Sequence, residues 1–186
     1  MSLIELIAQA DERGLAASGL ACLDRCVPLL GSDDEVLRPL WASLVEGRAW
    51  EERLVTARAE LGTADAEPTA AEDEACALAR RMLDAVPARP LAGALREWAD
   101  ASSVAALQIH RLLDAADEGP ASVSARREGR TEGMSPLVAA ELRRQVAVLE
   151  LVAGHGAGGL RRALDVSTEG RRVLRAVVSR RARGRA

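Results

Sequence analysis

The amino-acid sequence predicts an all-α protein: a single-domain antiparallel helical bundle of roughly six to eight helices, with a long flexible loop and an arginine-rich C-terminal helix and tail. Three observations carry this. Apolar residues recur at helical spacing along most of the chain, the period-two alternation of strands is absent, and the apolar runs are separated by short Gly- and Pro-bearing segments. At 186 residues, 48% hydrophobic and 28% charged, the chain is long enough to bury one core. The bundle is placed at 1–167, with the loop at 119–134, and the basic helix and tail at 168–186.

Ser2 followed by Glu5 reads as a capping box, and Leu3, Ile4 and Ile7 share a face, so a first helix is expected over about 3–13 with Gly14 as its stop. Leu15, Leu20, Leu23, Val27 and Leu30 predict a second helix, distorted by Pro28 and ending at Gly31. Ser32-Asp33-Asp34-Glu35 offers capping side chains to a third, which Pro39 shifts towards a later start; Gly47 interrupts, and Trp50, Leu54 and Leu61 carry a further segment. Residues 62–69 read as a linker. Ala75, Leu78, Ala79, Met82 and Leu83 then form an amphipathic row ended by Pro87 and Pro90.

Leu91, Leu95, Trp98, Ser102, Ala105, Ile109, Leu112 and Ala116 alternate at spacings of four and three. This heptad-like seam marks the 91–117 helix as the expected central element and as the interface of a homodimer. Residues 119–134 lack an apolar pattern and read as flexible. Ser135-Pro136 opens the next helix, which closes at the glycines from 154, and Val173, Leu174, Val177 and Val178 give a last short amphipathic helix from about 168 to 180.

Phe, Tyr, Lys and Asn are absent, so all 25 basic residues are Arg. A Lys Schiff base and a Tyr acid are thereby excluded from the chemistry. No run of apolar residues reaches membrane-spanning length and the N-terminus lacks signal-peptide order, so no transmembrane segment and a cytoplasmic location are expected. Three cysteines, Cys22, Cys26 and Cys76, read as reduced thiols packed as small apolar groups. Too few further ligands exist for zinc, so neither a metal nor a cofactor is expected.

Three sets of candidate site residues remain. Trp98, His110 and Arg111 lie along the seam helix, where an interhelical pocket would combine a large ring, a group titrating near neutrality and a cation. Gly156, Gly158 and Gly159 with Arg161 and Arg162 match the letters of a dinucleotide fingerprint, but a helix precedes them where a strand is required; a hinge is the reading, with small-anion binding as the alternative. Arg171, Arg172, Arg175, Arg180 and Arg181 belong to a stretch, 161–186, with nine Arg against two acids, while the whole chain carries −3. That segment is expected to dock on its own acidic body and to meet an acidic partner, nucleic acid being possible but unsupported by the overall charge. The chain reads as a non-enzymatic helical interaction protein in a regulatory, adaptor or assembly role. A ligand pocket or enzyme near Trp98, and polyanion binding by the tail, are its alternatives.

Overall fold

The computed structural model describes residues 1–62, 70–114 and 122–184, and among them all regular structure is helical. The α-helices are α1 (Leu3–Gln9), α2 (Glu12–Cys26), α3 (Arg38–Glu46), α4 (Trp50–Leu61), α5 (Ala70–Asp84), α6 (Ala92–Leu113), α7 (Val123–Arg127) and α8 (Pro136–Arg183), with a 3₁₀ turn at Val27–Leu29. The all-α bundle is therefore the fold.

The capping box of α1 forms as expected, Ser2 and Glu5 each accepting from the other's backbone amide. Its end differs. Asp11 accepts from the Gly14 amide and starts α2 early, so Gly14 lies inside the second helix instead of stopping the first. A short carboxylate at the N-cap outweighs a glycine three residues later. Pro28 falls in the 3₁₀ turn, and Pro39 sits in the first turn of a late-starting α3. Gly47 closes α3 in the left-handed region, at φ 68°.

The hub of the bundle is α2, not the 91–117 helix. All thirteen residues from Gly14 to Cys26 are buried, as in a helix surrounded on every side. It packs on α6 and α8, and α6 packs in turn on α5. Most of the α6 seam packs inside the chain: Leu95, Trp98, Ser102, Ala105 and Ile109 are all buried. Gly19 on α2 is what admits Trp98, since a Cβ there would sit 2.6 Å from the indole ring.

Two stretches hold more structure than their composition announces. Within the 119–134 segment, residues 122–134 contain α7, capped by Ser122 and with Ala125, Arg126 and Arg127 buried. The α8 helix reverses direction at Gly156, whose φ of 52° and ψ of −125° leave the helical region. Positions 144 and 169 of a straight helix would be about 37 Å apart, yet Arg144 and Glu169 form an ion pair at 3.5 Å. The two arms, 136–155 and 157–183, thus lie antiparallel, and no break occurs at the 167/168 boundary.

The arms approach so closely that a Cβ on Gly159 would lie 2.2 Å from the Leu151 carbonyl oxygen, whereas Gly158 faces open space. Gly159→Ala should cost about 1–3 kcal/mol by overpacking, and Gly158→Ala should add about 0.5–1 kcal/mol through helix propensity. Urea unfolding of the two variants checks this: equal effects would contradict the tight hairpin.

Candidate functional site

The chemistry-bearing groups of this chain gather in the interior, where α2, α6 and the first arm of α8 meet. Arg25 is fully buried and binds Glu141 twice, Nε to one carboxylate oxygen at 2.8 Å and Nη2 to the other at 2.6 Å. Gln145 donates to the same carboxylate at 2.8 Å, the Ser103 hydroxyl donates to Gln145 at 2.6 Å, and Arg127 donates to Ser103 at 3.1 Å and to Asp100. Arg127, from the segment read as a flexible loop, is thereby part of the core.

His110 completes the cluster. Its Nδ1 lies 2.7 Å from the Ala106 carbonyl oxygen, which fixes the proton on Nδ1, and its Nε2 is 3.5 Å from Glu141. Burial holds the imidazole below its ordinary value of 6.5 against the pull of Glu141. Burial also pushes Glu141 upward, but the charge of Arg25 and the bonds it accepts from Arg25 and Gln145 hold it below 4.5. Although the distance to Glu141 is that of an ion pair, Glu141 is already saturated by Arg25 and Gln145. The neutral imidazole is the state consistent with full burial. Desolvation raises the Cys22 thiol to about 12 and Cys26 well above 9.0, so neither is a nucleophile.

The second internal cluster joins α2 to the returning arm of α8. Arg171 donates to Asp24 at 2.6 Å, and the Ser167 hydroxyl donates to the other oxygen of Asp24 at 2.7 Å and to the Ala21 carbonyl at 3.2 Å. Asp34 and Glu35 stand within ion-pair range of Arg171, and Asp34 also accepts from Arg175. The acids read as caps for α3 instead receive the basic helix, since α3 has no side-chain cap. In the other acidic cluster, Glu72 and Asp73 lie outside the described side chains.

The predicted sets fare differently. Trp98, His110 and Arg111 are not brought together: His110 points into the buried cluster, Trp98 floors a groove between α5 and α6, and Arg111 lines a neighbouring concavity beside α7. Gly156 and Gly159 are explained by the reversal, while Gly158, Arg161 and Arg162 are exposed and Arg162 approaches His155 at 3.4 Å. Of the basic set, Arg171 and Arg175 dock in cis and Arg181 donates to the Leu113 carbonyl, leaving Arg172 and Arg180 exposed. Glu141, Arg25, Asp24 and Arg127 were missed, because each looks like an ordinary charged residue of a helix or loop.

Two larger concavities open to solvent. One, of about 1060 Å³, lies where α2, α3, α4 and the α5–α6 connection meet around Trp50. The other is the α5/α6 groove, of about 470 Å³. Trp50 and Trp98 stand edge to face between them at 6.4 Å, their indole N–H groups donating to the carbonyls of Pro87 and Met82. Among the described residues no group of acids, His and Cys is arranged to hold a metal, and no helix is long and apolar enough to cross a membrane. No family model, curated protein or solved structure matches the chain.

The lowered His110 value sets a pH dependence. Below 6.5 the unfolded chain takes up a proton that the folded interior resists, so stability falls with acidification from that point. Glu141, held low, extends the loss below 4.5, while Asp24, raised by burial, works in the opposite sense at acidic pH. Replacing His110 with Gln should flatten the stability profile just below pH 6.5; unfolding midpoints across that range check it, and an unchanged slope would contradict the assignment.

Proposed function

We propose that this chain is a non-enzymatic interaction protein, a rigid helical body that acts by presenting an open face to a protein partner. One observation carries the reading. Cys22, Cys26, Arg25, His110 and Glu141, whose proton affinities are displaced from their ordinary values, are sealed in the core with 0–1% exposure, and the hydrogen bonds of Arg25, His110 and Glu141 run to other groups of the protein interior. A general acid, base or nucleophile must reach the atom it acts on, and these reach only neighbouring groups inside the protein.

The face is the cleft around Trp50. Its volume of about 1060 Å³ sits at the upper limit of small-molecule pockets. Leu44, Trp50, Val55 and Ala88 supply apolar lining, and Arg13, Arg48 and Arg89 are balanced by Glu12, Glu51 and Glu52. A balanced rim suits a protein segment of mixed charge and does not favour a polyanion. At its edge Ala49 is held at φ 62°, the left-handed region that costs a residue with a Cβ about 1–2 kcal/mol; such strain gathers at binding sites. The same reading places the protein in the cytoplasm, where its three free thiols stay reduced.

Val55 is 63% exposed, so Val55→Arg should leave stability within about 0.5 kcal/mol while removing the partner that the intact chain enriches from the cells that make it. Quantitative enrichment with both chains decides. A protein captured equally by both, or by neither, contradicts the reading.

A further inference from the structure

The small side chains in the middle of the α6 seam predict close approach of a neighbouring helix, and α5 does lie alongside. It does not fill the space. Facing stripes of the two helices border a groove of about 470 Å³, within the range of small-molecule sites. Leu78 and Met82 from α5 and Trp98 and Ala105 from α6 make it predominantly apolar, and the Trp98 indole N–H is already used by the Met82 carbonyl. Ala101 and Ser102 contribute no bulk to close it.

The polar side chains of the groove are few. Ser102 is 1% exposed, and its hydroxyl has no hydrogen-bond partner. An unmade hydrogen bond in such a position is unfavourable, and a ligand group meeting that hydroxyl would relieve it. Arg81, exposed at the rim, forms no ion pair among the described residues, and the exposed Gln108 amide lies one turn beyond Val104. Among the described residues no acid lines the groove, so none of them compensates a cationic ligand.

We propose that the α5/α6 groove is a binding site for a small amphiphilic carboxylate, its apolar body lying on Trp98 and Met82 and its polar end reaching Ser102 and Arg81. The site is separate from the Trp50 cleft and stands or falls independently of the interaction reading. It also differs from a pocket built on Trp98, His110 and Arg111 together, because His110 faces Glu141 on the far side of α6.

The test titrates the full chain with octanoate, octanol and octylamine, following tryptophan emission and thermal unfolding. Octanoate should bind saturably, change the emission and raise the melting temperature, with octanol weaker and octylamine inert. Arg81→Glu should weaken octanoate about tenfold or more and leave octanol unaffected, whereas Ser102→Ala should weaken both. Ala101→Phe, at an exposed position on the groove wall, should abolish binding with the fold intact. Failure of octanoate to change either signal, a preference for octylamine, or undiminished binding by Ala101→Phe would each overturn the proposal. Circular dichroism and melting of the unliganded variants separate lost binding from lost folding, and if Ala101→Phe does not fold, Arg81→Glu with its octanol control decides.

Discussion

The bidentate bond between Arg25 and Glu141 is the constraint around which the rest of this structure is arranged. Both side chains are fully buried, and removing two charges from water costs several kcal/mol per ion unless geometry and further hydrogen bonds offset it. The fold supplies such bonds from two directions: Gln145 donates to Glu141 from the same helix, and the Cys22 sulfur accepts from Arg25 one turn earlier on α2. It also clears the path. A Cβ on Gly170 would stand 2.3 Å from the Arg25 Cδ, so the returning arm of α8 crosses α2 only because that residue is glycine. The pair ties the hub helix to a residue 116 positions away.

Asp24, next to Arg25, performs the matching task for the returning arm. It faces the second arm, where Ser167 and Arg171 occupy both of its oxygens, while Arg25 faces the first. Adjacent residues on a helix point about a quarter-turn apart, and the two α8 arms sit on those two sides. The excess negative charge of the first 160 residues and the excess positive charge of the C-terminal segment are in this way partly cancelled within the molecule. The basic segment is a structural strap before it is anything else, with Arg172 and Arg180 left facing solvent.

Much of the fold was legible in the sequence, and the illegible part has one physical cause. Helix type, the Ser2 capping box, the Pro28 distortion, the delayed start at Pro39 and the hinge at the glycines from 154 are all local signals, and local signals are read from spacing. The buried charges are not local. Asp24 and Arg25 sit in a helix whose apolar period is blurred by burial on every side, so the uninterrupted α6 seam looked more central than α2. Arg126 and Arg127 made 119–134 look solvated, although Arg127 reaches Ser103 and Asp100 from there. Of the candidate site, Trp98 lines a groove between α5 and α6, while His110 and Arg111 lie elsewhere. Ser102 was read only as a small seam residue, because nothing in a sequence reports a hydroxyl without a partner.

The arrangement that follows is a charged interior beneath two open concavities, the Trp50 cleft on one side and the α5/α6 groove on another, for which recognition is the proposed role. Its foundation is testable without knowing any partner. In a double-mutant cycle of Arg25→Met and Glu141→Leu, each single change should cost about 3–5 kcal/mol by stranding the other charge, and the double variant should recover much of that loss. Additive costs in the double variant, or single costs below about 1 kcal/mol, would show that the pair does not organise this core.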